Sequence, residues 1–207
     1  MLVLVPIFSH ERLELPALSD DGGFDARDLE RASHGLRDPR TGLEYPVAPD
    51  LLDLVYQAQQ HFGATEVRVI SGYRVPKGKS HSNHSRGRAM DLVLPGVRNE
   101  EVTSWAKGLG FAGVGLYPAS GFCHLDVRPK SYFWVDRSGP RQRRREVPVH
   151  GLLAARADQE AKQQQRHGIA PFVLPSPAVG AIWHNGGAAS SSGVDDGESL
   201  DDDDGGP

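Results

Sequence analysis

A single cysteine in 207 residues excludes a disulfide-stapled scaffold and any cysteine-built zinc centre, because Cys123 has no partner in the chain. Long apolar runs are also missing, and no stretch approaches the roughly 18 residues that a membrane-crossing helix needs. The opening run Met1-Leu2-Val3-Leu4-Val5-Pro6-Ile7-Phe8 is apolar but short. It lacks the basic start and small-residue cleavage site of an export signal, so it reads as a first strand. Neither sign of charge dominates: 23 Lys+Arg face 27 Asp+Glu, a net of −4. Seven of those acids and no base fall within residues 185–207, which leaves the rest of the chain at 23 bases against 20 acids. That excess is too mild to imply nucleic acid or a membrane surface by itself.

What is present is the composition of a globular protein, with 38% hydrophobic residues and 24 glycines. The length suits one domain, with or without extensions. Residues 50–63 form a helical pattern, with Leu51, Leu54, Val55, Ala58 and Phe62 on one face, Asp50 as N-cap and Gly63 just past the end. Residues 66–70 alternate and are β-branched, and residues 89–94 read as a second strand. A helix capped by Asn99 carries Val102, Trp105, Ala106 and Leu109 and stops at Gly110. Residues 114–117 and 122–127 form a hairpin across Pro118-Ala119-Ser120-Gly121. Helices separate the early strands and the later ones pair as neighbours, which predicts an α+β fold with helices on a mainly antiparallel sheet. Residues 151–168 read as a short polar helix extending from the body, residues 171–177 as a Pro-punctuated linker, and residues 185–207 as a disordered acidic tail.

Chemistry concentrates in Ser82-Asn83-His84-Ser85-Arg86-Gly87-Arg88-Ala89-Met90-Asp91. This reads as loop, turn and strand, with Gly87 supplying the sharp turn that lets His84 and Asp91 converge. Ala89 shares a strand face with Asp91, and its small side chain leaves room there for an ion. His124, on the later hairpin strand, completes a nitrogen and oxygen donor set suited to zinc, with a fourth position left for water. A His and an Asp seven residues apart also arise by chance. Each has a bland alternative as a cap, a hydrogen-bond acceptor or a His satisfied by a carbonyl. Cys123 alternates away from His124 and Asp126, which makes it a packed residue rather than a ligand.

Several segments in register then carry a resemblance: Leu36-Arg37-Asp38-x-Arg40-Thr41-Gly42, Pro49-Asp50-Leu51-Leu52-Asp53 and Ile70-Ser71-Gly72-Tyr73-Arg74. They are followed by the His84 to Asp91 motif, Gly113-Val114-Gly115-Leu116-Tyr117-Pro118 and Gly121-Phe122-x-His124-x-Asp126. The set, over roughly residues 8–137, resembles the murein endopeptidase K group of bacterial cell-wall hydrolases. That group lies within the zinc peptidases that include D-alanyl-D-alanine carboxypeptidases, lysostaphin-type enzymes and hedgehog domains. The resemblance implies one zinc ion per chain on His84, Asp91 and His124, peptidoglycan peptides as substrate, and a periplasmic or otherwise exported location. It divides the chain into a zinc peptidase-like domain over residues 1–150, a helical and Pro-rich extension over 151–184 and the tail. Arg74 is expected to hold a substrate carboxylate or carbonyl, with Tyr73 and Ser82 as further substrate contacts.

One departure stands out. Many relatives place Glu, Asp or His two or three residues before the last zinc His, as general base, and here those positions are Gly121 and Phe122. Asp126, on the face of His124, is the preferred substitute, with a role orienting a ligand His as its alternative. His81, in a polar loop, is the second candidate. Two rival functions follow: a catalytically silent binding module on the zinc fold, and an anion- or nucleic-acid-binding protein using Arg137, Arg141, Arg143, Arg144 and Arg145. No aromatic interleaving accompanies the arginines, so a solvated loop ranks above nucleic acid.

Overall fold

The computed structural model describes residues 1–78, 82–140, 142–143, 145–149 and 151–164. His81, Arg141, Arg144, the Pro-punctuated linker and the acidic tail lie outside them.

Eight strands of the described residues form one sheet: β1 (Leu2–Pro6), β2 (Leu13–Leu15), β3 (Val67–Ser71), β4 (Ala89–Val93), β5 (Ala112–Tyr117), β6 (Phe122–Val127), β7 (Tyr132–Asp136) and β8 (Glu146–Pro148). Their order is β2-β1-β3-β4-β6-β5-β7-β8. Among the described residues, four α-helices accompany them: α1 (Ala26–Gly35), α2 (Pro49–His61), α3 (Asn99–Lys107) and α4 (Gly151–Gln163). The α+β class is thus observed, but the expectation of a mainly antiparallel sheet needs amending to a mixed one. β1 pairs with β3, and β5 with β7, in parallel. Alternating burial looks the same in either orientation, so the sequence pattern does not distinguish them.

The opening apolar run is β1, as its composition implies. Two helix starts differ from expectation. Ala48 rather than Asp50 caps α2, because Pro49 occupies the first turn, where its fixed φ and missing N–H cost nothing. Arg98 rather than Asn99 caps α3. Gly63, at φ +60°, sits just past α2 as its sequence position predicts.

The core lies between the helices and one sheet face. Leu51, Leu54, Val55 and Ala58 of α2 and Val102 and Ala106 of α3 pack with Val67, Val69, Met90, Leu92, Val114, Cys123 and Leu125. Strand alternation therefore turns Asp91, His124 and Asp126 to the opposite face. Helix α4 buries Ala154, Ala157 and Ala161. Its Asp158 accepts hydrogen bonds from the N–H groups of Phe111 (2.6 Å) and Ser131 (2.9 Å), which precede β5 and β7.

Asp53, in α2, is an ionisable group inside this core, at 1% exposure. Its Oδ1 accepts the Gly23 N–H at 2.7 Å. Burial, with Asp50 nearby adding to it, pushes its carboxyl up to about 6. An acid whose folded-state pKa is raised loses stability as pH climbs from about 4 through 6, because the folded protein must then hold the charged form. Asp53→Asn keeps an acceptor for Gly23 and removes that charge. We expect it to raise stability at pH 7.5 by up to about 2–3 kcal/mol, a gain that vanishes below pH 4 in paired thermal melts. An equal difference at both pH values would show that Asp53 is not penalised by its charge.

Candidate metal centre

The register of the sheet builds the site. Ser71 pairs with Asp91, Asp91 with His124, His124 with Gly115, and Gly115 with Trp134, one straight row across five strands. His84 enters from a single 3-10 turn, His84–Arg86, which ends at Gly87. Gly87 has φ +66°, and a Cβ there would lie 2.1 Å from the Pro46 carbonyl oxygen, so only glycine makes this turn.

The three expected ligands converge. His84 Nε2 lies 3.2 Å from His124 Nδ1, His124 Nδ1 lies 2.9 Å from Asp91 Oδ1, and His84 Nε2 lies 3.5 Å from that same oxygen. In a tetrahedral zinc site with ligands about 2.0–2.1 Å from the ion, neighbouring donors stand about 3.3 Å apart, so the triangle has the right size.

The opposite edge of each imidazole decides what faces the triangle. His84 Nδ1 is 2.7 Å from the Gly72 carbonyl, which only accepts, so Nδ1 carries the proton. His124 Nε2 is 2.9 Å from Asp126 Oδ2, an ionised acceptor, so Nε2 carries the proton there. In the neutral rings, two bare nitrogen lone pairs and a carboxylate oxygen are thus aimed at one point. Such an arrangement calls for positive charge at its centre.

The titration behaviour expresses the same demand. Burial raises the Asp91 carboxyl, but His84 and Arg74 beside it hold it well below the usual range. Burial opposes a charge on His124, yet its hydrogen bonds to Asp126 and Asp91 prevail and raise it to about 9. Burial lowers His84, and the Arg74 cation lowers it further.

The surrounding residues hold the ligands. Arg74 donates from Nη2 to Asp91 Oδ2, and from Nε to Ser71 Oγ at 2.8 Å. Ser82 Oγ accepts the His84 N–H at 3.2 Å, so Ser82 faces the backbone of the ligand turn. Tyr73 stacks on Tyr45 with centroids 5.5 Å apart, and its N–H bonds to the Leu36 carbonyl. The buried Asp38 accepts the N–H groups of Arg40 and Val75. The Leu36 to Gly42 segment thereby fixes the strand exit carrying Gly72, Tyr73 and Arg74. Cys123 is buried on the core side, where burial pushes its thiol up.

Asp126 reaches His124, as alternation implies, but its setting is that of a locked partner. Its exposure is 0%. Arg128 donates to its two oxygens from Nε at 2.7 Å and Nη2 at 2.5 Å, and Asn83 Nδ2 donates to Oδ1 at 3.0 Å. Burial raises its carboxyl, but Arg128 and His124 lower it well below the usual range. A Cβ on Gly113 would lie 2.0 Å from Asp126 Oδ2, so this glycine makes room for the carboxylate.

Sequence reasoning missed Arg128, Asn83, Gly72 and Trp134. Arg128 had a signal: it follows Asp126 by two residues, the strand spacing that faces a cation to the acid. Of the arginine cluster, Arg137, Arg143 and Arg145 are exposed between β7 and β8.

Among the described residues, a turn and two adjacent strands of the mixed sheet bring together three buried donors that could hold one metal ion, the donor number of a catalytic rather than a structural site. The chain belongs to the family described as peptidoglycan L,D-endopeptidase MepK, whose model matches residues 1–133. It is 32% identical over 120 residues to the probable peptidoglycan L,D-endopeptidase MepK of Haemophilus influenzae, an alignment covering 52% of this chain and 64% of the relative. It is 29% identical over 126 residues to the peptidoglycan L,D-endopeptidase MepK of Escherichia coli K12, covering 55% of this chain and 69% of that one. The chain thus spans about two thirds of the length of these relatives. No solved structure matches it. Among the described residues, no helix is long and apolar enough to cross a membrane.

Proposed function

We propose that this chain is a zinc peptidase that hydrolyses peptide bonds of bacterial peptidoglycan, with His84, Asp91 and His124 holding one ion. The convergence of two imidazole nitrogens and a carboxylate oxygen within 3.5 Å carries this reading, because Gly72 and Asp126 hold the far edge of each ring and leave the near nitrogens to share one cation, a proton or a metal ion, with Asp91. A bound zinc would supply Lewis acidity toward the scissile carbonyl and a water of pKa about 7.

The chain's own residues then have distinct tasks. Gly72, through its carbonyl, and Asp126 fix which nitrogen of each imidazole faces the ion. Arg74 keeps the Asp91 carboxylate turned toward the imidazoles, and its partly exposed guanidinium is the cation that an entering substrate carbonyl or carboxylate meets. Tyr73, next to Arg74 in the chain, and Ser82, before the ligand turn, are its proposed companions as substrate contacts. With Asp126 committed to His124 and Arg128, proton transfer to the leaving amine falls to His81, three residues before His84. The names of the relatives point to an L,D bond as the one cut rather than a terminal D-alanine, and the substrate places the working protein outside the cytoplasmic membrane.

Digestion of purified sacculi tests this. The zinc-loaded chain is expected to release soluble muropeptides that a chelator abolishes and added zinc restores. Gly121 and Phe122 favour one rival, a binding module without catalysis. Sacculus binding with no release at any zinc level would select it.

A further inference from the structure

His84 is the one donor of the three that does not lie on a strand, so its position depends on what ties its turn to the sheet. His124 is wedged in place. Trp134 packs on its ring with centroids 4.9 Å apart and planes at 53°. Gly115, between the two in the cross-sheet row, leaves the space, since a Cβ there would lie 2.4 Å from the indole. The His84 turn is held by hydrogen bonds instead.

Asn83 supplies three of them. It stands at the N-cap position of the turn, at φ −62° and ψ −25°, yet its side chain makes no capping bond there. Asparagine is among the favoured caps because its oxygen takes an otherwise free N–H of the first turn. Here Ser82 Oγ takes the His84 N–H, at 3.2 Å. The Asn83 amide is turned to β6, where Nδ2 donates to Asp126 Oδ1 at 3.0 Å. Its carbonyl accepts the N–H groups of Arg86 at 3.2 Å and of Arg88, just before β4, at 2.9 Å. One residue therefore joins the elements that carry all three donors.

Spacing makes the joint rigid. Asp126 and His124 are alternate residues of β6, about 6–7 Å apart on one face. Asn83 and His84, consecutive in the chain, meet them as a pair, with His84 Nε2 3.2 Å from His124 Nδ1. Two attachments fix the twist of the turn against the strand as well as its distance, whereas one would let the turn pivot. The acceptor is itself fixed, because Asp126 is buried and Arg128 grips both of its oxygens.

We propose that Asn83 is a positioning residue, a latch whose side-chain amide holds the His84 turn against β6 so that the two imidazole nitrogens keep the spacing of one ion. The ion rests on the zinc reading above; the latch rests on the hydrogen bonds.

The test uses the full chain carrying Asn83→Ala or Asn83→Asp. Release of bound zinc to excess chelator is timed, and amide hydrogen exchange is followed in the metal-free protein. Alanine keeps the carbonyl bonds and loses only the amide. Zinc release is expected to quicken about tenfold, within the range for losing a group behind a ligand histidine. Aspartate keeps the shape but sets an anion against Asp126, and release should quicken about 10²-fold. A capping role predicts the reverse order, with aspartate close to the parent and alanine impaired, and that order overturns the latch. In the metal-free chain, exchange at the Arg86 and Arg88 amides should quicken about tenfold in Asn83→Ala, with β1 and α2 unchanged. This second readout separates the two readings. Asn83-dependent exchange in a parent that takes up no zinc keeps the latch and ends the zinc proposal. Stoichiometric zinc, with release and exchange indifferent to Asn83, does the reverse.

Discussion

Asp91→Ala is expected to leave the chain without stoichiometric metal and to lower peptide hydrolysis by about 10³-fold or more, the scale of losing several kcal/mol of Lewis-acid stabilisation. The carboxylate supplies the one negative charge among the three donors. Without it two neutral imidazoles remain, next to the Arg74 cation that Asp91 had balanced. Arg74 is 19% exposed, so water only partly replaces the carboxylate that balanced its charge. The ion-free variant should therefore also be less stable, by about 3–5 kcal/mol, as when one partner of a buried pair is removed.

The sign of the pH dependence follows from the direction of the Asp91 shift. A carboxyl held below its ordinary value contributes stability that is present above pH 4 and fades as pH falls further. The gap between parent and variant should thus be full at neutral pH and narrow in acid. Metal content by atomic spectroscopy and denaturant melts at two pH values check both halves. One equivalent of zinc retained by Asp91→Ala would remove Asp91 from the ligand set.

The residues of the candidate site were legible because local rules govern them. Alternation along β6 sets His124 and Asp126 on one face with Cys123 opposite, and Gly87 marks the turn that delivers His84. Helices α2 and α3 carried clear apolar spacing; their caps were misplaced, with Pro49 taking precedence over Asp50, and α3 ends at Lys107 with Gly108 as its cap, short of the expected stop at Gly110. What stayed hidden depends on cross-strand neighbours. No periodicity in residues 112–117 and 132–136 reveals that β5 and β7 run parallel, and only that pairing brings Trp134 over Gly115 to His124. Polar α1, capped by the Asp25 side chain, and three-residue β2 and β8 offer too little pattern to read. The surroundings of Asp126 were hidden in the same way. Alternation aims it correctly, but nothing in a strand pattern reports that Arg128 and Asn83 close around it.

That closure makes Asp126→Asn a decisive substitution. A group that picks up and delivers protons needs a reachable lone pair and a pKa near the working pH, whereas Asp126 is buried and Arg128 and His124 hold its carboxyl below the usual range. Asparagine still offers an oxygen to His124 Nε2, so the ring need not turn over, but the charge that makes His124 a strong donor is gone. We expect metal affinity to fall about 10–100-fold, the usual consequence of losing a carboxylate behind a ligand histidine. A proton-carrier role would instead leave affinity intact and lower kcat alone. In the parent, His124 titrates near 9, so metal must displace its proton, and affinity should rise about tenfold per pH unit up to that value. Asp126→Asn removes the hydrogen-bonded anion that raised His124, so the same slope should end at a lower pH. His81→Gln supplies the contrast, with zinc retained and kcat reduced about 10²-fold or more, as expected for loss of a general acid. If Asp126→Asn binds zinc as the parent does across pH 7–9 while kcat drops, proton transfer belongs to Asp126 after all.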